Sequence, residues 1–123
     1  MLIRACMAKI HRATVTEADL NYVGSITVDA ALLEASGIKP FQYVNITNLA
    51  NGAFWHTYVT PGKRGKGDIC LNGPPARHFP PRDKIIILAE AWLEPLQMKN
   101  LNPVIVFLDD KNKIAKVKHH KAA

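Results

Sequence analysis

A glycine and a serine, Gly24 and Ser25, interrupt the stretch NYVGSITVD (Asn21 to Asp29), which otherwise reads as one β-strand. Val23, Ile26, Thr27 and Val28 are strand formers, whereas glycine inside a strand costs backbone entropy and packs nothing. A serine hydroxyl becomes a nucleophile once its surroundings activate it. The stretch therefore sets the least restrained backbone unit directly ahead of a group able to attack a carbonyl. Other candidate chemistry is thin. Cys6 and Cys70 form no C-x-x-C pair and no disulfide framework, and read as structural thiols of a reducing compartment. The five histidines do not fall at metal-ligand spacing, so no metal is expected; His119 and His120 sit in the basic run KNKIAKVKHHKAA.

The elements that must position the pair are short apolar runs divided by turn signals: NG at Asn51-Gly52, PGKRGKG from Pro61, NGPP from Asn72 and FPPRD from Phe79. Strands are predicted over Leu2–Ala8, His11–Thr16, Ser25–Val28, Tyr43–Asn48, Ala53–Thr60, Asp68–Leu71, Lys84–Ala91 and Pro103–Asp109. Many short strands with a turn every ten or so residues point to a β-barrel or sandwich. TVDAALLEASG predicts a helix capped by Asp29 and stopped at Gly37. A helical turn is expected over TEADL, with Thr16 as its cap.

A chain of 123 residues suits one domain with a real core, and 48% hydrophobic with 21% charged residues is ordinary for a soluble globular protein. No apolar run is long enough to cross a bilayer, and the opening MLIRACMAKIHRATV lacks the apolar core of a signal peptide, so a cytoplasmic protein without membrane association is expected. The net charge of +6 is spread along the chain, clustering only at GKRGKG and the C-terminal run. No aromatic-interleaved basic motif, zinc finger or helix-turn-helix signature accompanies it, which argues against nucleic acid. Residues 1–110 are expected to form the domain and 111–123 a partly disordered basic tail.

KIHR at Lys9–Arg12, ADLNYVGSITVD at Ala18–Asp29, TY at Thr57-Tyr58 and CLNG at Cys70–Gly73 resemble bacterial aspartate 1-decarboxylases, over most of residues 1–110. The resemblance implies a mainly-β fold, a small six-stranded double-psi β-barrel with short helices, assembled as a homotetramer with active sites between subunits. It further implies a covalent pyruvoyl cofactor made from the chain itself, with no metal and no pyridoxal phosphate. In that family the serine hydroxyl, here Ser25, attacks the carbonyl of Gly24; elimination and hydrolysis then leave a ketone, which condenses with a substrate amine as a Schiff base. Glycine lets a hydroxyl approach its carbonyl. The resemblance gives Thr57 the stabilisation of the oxyanion, Asn72 the holding of the neighbouring loop, Tyr58 the proton donated after carbon dioxide leaves, and Lys9 a substrate carboxylate. Tyr22 and His11 support the cleavage bond. A requirement for a separate maturation factor is left open.

Two departures stand out. The family generally carries arginine three residues before the threonine of TY, where this chain has Phe54, and follows NG, here Asn72-Gly73 at the substrate site, with alanines where this chain has Pro74 and Pro75. A guanidinium grips a carboxylate bidentately, an aromatic ring cannot, and proline has no N–H to donate. Three readings follow for a small amino-acid substrate. The first is an amino-acid decarboxylase whose pocket has shifted away from aspartate; Phe54 and Trp55 cannot both face that pocket, since side chains alternate along a strand. The second is a genuine aspartate decarboxylase making β-alanine for pantothenate, with Lys9, Arg64, Arg12 or Lys66 supplying the lost contact. The third is an uncleaved, non-catalytic regulatory barrel.

Overall fold

The computed structural model describes residues 1–121. Nine strands are paired among them: β1 (Ile3–Thr14), β2 (Glu17–Asp19), β3 (Ser25–Asp29), β4 (Tyr43–Asn48), β5 (Phe54–Gly62), β6 (Ile69–Asn72), β7 (Lys84–Leu93), β8 (Val104–Leu108) and β9 (Ile114–His119). They form one mixed sheet in the order β2-β6-β3-β5-β4-β7-β1-β8-β9. The pairs β1–β8, β2–β6 and β3–β5 are parallel and the others antiparallel. The chain is thus mainly β with few short helices, as expected.

Alternation along the strands makes the core. Ala8 and Ile10 of β1, Ile26 and Val28 of β3, Val44 and Ile46 of β4, Ile69 and Leu71 of β6, and Ile85 and Ile87 of β7 are all buried, at every second position. Such spacing turns one face of each strand inward. The strands predicted over Leu2–Ala8 and His11–Thr16 are a single twelve-residue β1. Its register against β7 shifts between Cys6 and Ala8 and again between His11 and Ala13, and Arg12 takes a positive φ of 63°. The break implied by sequence is a local bulge, which bends a strand without ending it.

Two further expectations are corrected. TEADL is not a helical turn: Glu17–Asp19 is β2, paired with β6. Thr16 turns its hydroxyl across the sheet, accepting from the Ile69 N–H at 2.9 Å and donating to the Ile69 carbonyl at 3.1 Å, so it caps no helix. The segment read as a disordered tail carries β9, paired with β8, and is anchored by buried Asn112, whose Nδ2 donates to the Thr14 and Gly67 carbonyls. Ala122 and Ala123, at the end of that segment, lie outside the described residues.

The helix α1 (Ala30–Ser36) forms as predicted, with Asp29 at its N-cap and Gly37 closing it. Asp29, 2% exposed, does more than cap. Its Oδ1 accepts from Ala31 and Gly65 and its Oδ2 from Gly67, tying the PGKRGKG loop to the helix start. Burial pushes this carboxyl up, but the three amides and the charge of Lys113 outweigh it, and its pKa is lowered overall. A carboxyl that titrates lower when folded stabilises fully above its unfolded value of about 3.9 and loses that stabilisation as pH falls through the folded value. Thermal unfolding should therefore occur at lower temperature in acid below about pH 4, a trend that Asp29→Asn largely removes. At neutral pH Asp29→Ala should cost about 2 kcal/mol, roughly 8 °C in Tm.

Candidate functional site

Ser25 opens β3 and is 2% exposed. It pairs across the sheet with Asn72, the last residue of β6. The Asn72 Nδ2 donates to Ser25 Oγ at 3.1 Å and to Thr27 Oγ1 at 3.1 Å. Asn72 is thus bonded to the serine itself.

Gly24, just ahead of β3, is backed by a second glycine. Gly73 has φ +84°, and a Cβ built on it would lie 2.9 Å from the Gly24 Cα and 3.3 Å from both the Gly24 nitrogen and the Tyr22 carbonyl oxygen. Only a residue without a side chain fits that approach and that φ. The loop before Gly24 is fixed at Asp19: its carbonyl accepts from the N–H groups of Gly73 (2.7 Å) and Tyr22 (3.3 Å), and its Oδ1 accepts from Asn21 (3.0 Å). Asp19 escaped the sequence reading, although an aspartate two residues before an asparagine is a familiar turn signal. Gly73→Ala should destabilise the fold by about 1–3 kcal/mol, measurable as a lowered midpoint in thermal or urea unfolding.

On the other side of β3 runs β5, in parallel, with Ile26 opposite Val59 and Thr27 opposite Thr60. Continuing that register backwards aligns Ser25 with Tyr58 and Gly24 with Thr57. Thr57 is buried and Tyr58 half-buried. Tyr58 belongs to a run of rings on β4, β5 and the turn before them: Phe41 stacks on Tyr58 at 6.0 Å, Tyr58 leans on Tyr43 and Tyr43 on His56 at 6.3 Å each, and His56 stacks on Phe54 at 6.4 Å. Phe54, 58% exposed, lies opposite Thr47, whereas Trp55 lies opposite buried Ile46. The two aromatics point to opposite faces, as strand alternation requires.

Tyr22 is exposed. Lys9 and His11 sit on the outward face of β1, paired with Leu88 and Ile86 of β7, and in the ladder three strands, β5, β4 and β7, lie between β1 and β3. Among the described residues no side-chain hydrogen bond or ion pair joins either of them to Ser25. His11 packs its ring edge-on to Phe107 at 5.5 Å, and burial, then the charges of Lys9 and Arg12, lower its pKa.

The backbone after Asn72 has little to offer an anion. Gly73 donates its N–H to Asp19, Pro74 and Pro75 have none, and Ala76 donates back to the Gly73 carbonyl at 3.0 Å within a 3-10 turn, Pro74–Arg77. Two of the basic residues named as substitutes are engaged elsewhere: Arg64 forms a bidentate pair with Glu34, and Lys66 lies 3.4 Å from Asp68. Arg12 is exposed on the β1 bulge.

The family model described as aspartate decarboxylase matches residues 1–115. The chain is 52% identical to the aspartate 1-decarboxylase of Carboxydothermus hydrogenoformans, over 96% of this chain and 93% of that protein. It is 53% identical to the aspartate 1-decarboxylase of Caldicellulosiruptor saccharolyticus over 95% and 91% of the two chains, and 47% identical to that of Clostridium beijerinckii over 99% and 98%.

Proposed function

Because the chain belongs to the aspartate decarboxylase family, and is a decarboxylase, we propose that it cuts its own backbone between Gly24 and Ser25 and works through the pyruvoyl group that Ser25 becomes. The observation that carries this reading is the environment of Ser25: a buried hydroxyl, an amide donor on its oxygen, and a preceding glycine held against Gly73. These residues fit the group they would form.

Each bond change can be assigned to this chain. Ser25 Oγ loses its proton and bonds to the Gly24 carbonyl carbon, the C–N bond breaks, and the nitrogen takes up a proton, leaving an ester. Thr57 is the donor to the oxyanion formed on the way. Loss of the Ser25 α-proton then breaks the Cβ–Oγ bond, the electron pair leaving on oxygen as the Gly24 carboxylate. Water replaces the nitrogen of the resulting enamine, ammonia departs, and a ketone remains at position 25. Bound there, the pyruvoyl group supplies an electron-accepting carbonyl for loss of carbon dioxide from an amino acid. Tyr58 holds the proton returned to the substrate; a phenol stays protonated at neutral pH yet can yield its proton to a strong base. Lys9 attracts a substrate carboxylate.

Denaturing mass spectrometry tests the cleavage. The expected result is a fragment ending at Gly24 and a second with a blocked start at position 25. A single intact species after prolonged incubation, with cell extract added to supply any maturation factor, would overturn the reading in favour of a silent regulatory barrel.

L-Aspartate, giving β-alanine, is the substrate that the relatives' names support. A second reading, a pocket shifted toward a less acidic or larger amino acid, is favoured by two observations: an exposed phenylalanine at position 54, and a Gly73–Ala76 backbone with no free N–H. Trapping with borohydride across a panel of amino acids separates the two. The separation of Lys9 from Ser25 in the ladder and the exposed rings of Phe41, Tyr43 and Phe54 support a homotetramer whose sites draw residues from neighbouring subunits. No helix among the described residues is long and apolar enough to cross a membrane, and a cytoplasmic location accords with the proposed chemistry.

A further inference from the structure

Behind Ser25 and Asn72 the hydrogen bonding continues to Thr27 and Thr60, to which the proposed mechanism gives no role. Asn72 Nδ2 has two hydrogens, and both are committed: one to Ser25 Oγ and one to Thr27 Oγ1, each at 3.1 Å. Thr27 Oγ1 in turn lies 3.1 Å from Thr60 Oγ1 on the neighbouring strand. The result is an unbroken file, Ser25–Asn72–Thr27–Thr60, across three strands. The methyl of Thr27 has its own seat: a Cβ on Gly62 would come within 3.1 Å of Thr27 Cγ2, so glycine there leaves the room that lets this rotamer aim its hydroxyl at Asn72.

An amide side chain can present either its N–H end or its oxygen to a hydroxyl, and both Ser25 and Thr27 could answer either end. The tie is broken farther out. Either hydroxyl of the Thr27–Thr60 pair can be the donor; when Thr27 gives its hydrogen to Thr60, the Thr27 oxygen offers only lone pairs, and Asn72 turns Nδ2 toward Thr27 and Ser25. During the attack, negative charge passes from Ser25 Oγ to the Gly24 carbonyl oxygen; in the elimination the Cβ–Oγ bond breaks with its electron pair on Oγ, so charge gathers on that atom as the Gly24 carboxylate leaves. An N–H aimed at Oγ stabilises the charge of that leaving carboxylate, whereas the amide oxygen would oppose it. We infer that Thr27, itself set by Thr60, is the positioning residue that holds the Asn72 amide with its donor on the Ser25 oxygen during self-cleavage.

The inference rests on the self-cleavage proposed above, and the experiment keeps the two apart. Native chain, Thr27→Val, Thr27→Ser and Thr60→Val are produced uncleaved or captured early, and the fragment ending at Gly24 is followed over time by denaturing mass spectrometry, with thermal unfolding measured on the same samples. Valine keeps the shape of threonine but frees the amide to turn, and should slow cleavage about tenfold while lowering the unfolding midpoint by several degrees for the hydrogen bonds lost to Asn72 and Thr60. Thr27→Ser, which keeps the hydroxyl, should cleave near the native rate. Thr60→Val, which releases the Thr27 hydrogen, should slow cleavage less than Thr27→Val. Cleavage by Thr27→Val at the native rate overturns the inference while leaving the parent reading intact. Equal slowing by Thr27→Ser and Thr27→Val also overturns it, since the methyl seat and not the hydroxyl would then matter. Should Thr27→Val fail to fold, a native rate in Thr60→Val is decisive against it. A native chain that never cleaves removes both proposals together.

Discussion

Ser25→Ala is expected to give a single uncut polypeptide that folds normally and releases no carbon dioxide from any amino acid. Alanine removes the only atom that can attack the Gly24 carbonyl from the next residue, and it removes the leaving oxygen that the elimination needs. Both losses act before any substrate binds, so the defect is all or none, and activity should fall toward the uncatalysed rate, on the order of 10⁶-fold or more. The fold should tolerate the change. Ser25 Oγ accepts one hydrogen bond, from Asn72, and Asn72 keeps its second partner in Thr27. Losing one such bond costs about 1 kcal/mol, a shift of a few degrees in Tm. Intact mass, thermal unfolding and carbon dioxide release from the same preparation check the three parts separately. A cleaved Ser25→Ala chain would show that the backbone is cut by something other than this hydroxyl, and an active uncleaved one that decarboxylation needs no ketone at position 25.

Much of this arrangement was legible in the sequence, and the parts that were not share a cause. The motif residues Gly24, Ser25 and Asn72 are adjacent in space because β3 and β6 pair in register, Ser25 opposite Asn72. Helix α1 was readable from Asp29 and Gly37, whose roles are local and depend only on near neighbours in the chain. Misreadings arose where a residue's partner is remote. Thr16 looks like a helix cap until Ile69, 53 residues later, takes its hydroxyl on both sides. The basic run after Asp110 looks like a solvated tail because its lysines are exposed, yet β8 supplies the backbone partners that make it a strand, and Asn112 reaches Thr14 across 98 residues. Charge on an edge strand is common, since it discourages pairing with a foreign strand. Thr27 and Thr60 were invisible for the same reason: each is an ordinary strand threonine until parallel pairing sets them side by side.

Phe54→Arg carries the second large effect, because it tests which substrate the pocket accepts. Position 54 begins β5, on the same face as His56 and Tyr58, so a long side chain there projects along the face that carries the tyrosine. In the native chain that direction ends in an exposed ring stacked on His56, which offers a carboxylate nothing. The nearby backbone cannot compensate, since every N–H from Gly73 to Ala76 is either used within the chain or replaced by proline. A guanidinium at 54 would add a bidentate, charge-assisted contact worth about 1.5–3 kcal/mol, or roughly ten- to a hundredfold in binding. The expected result is a KM for aspartate lowered by that factor, with little change in self-cleavage and a loss of preference for uncharged amino acids. Carbon dioxide release measured across aspartate, glutamate, and small and aromatic neutral amino acids, for native and variant chains side by side, decides it. If the native chain already uses aspartate best and arginine adds nothing, another cation, Lys9 foremost, holds the retained carboxylate. If the native chain prefers a neutral amino acid and arginine still brings no gain with aspartate, the amide-poor turn from Gly73 to Ala76, rather than the ring at 54, is what excludes the acid.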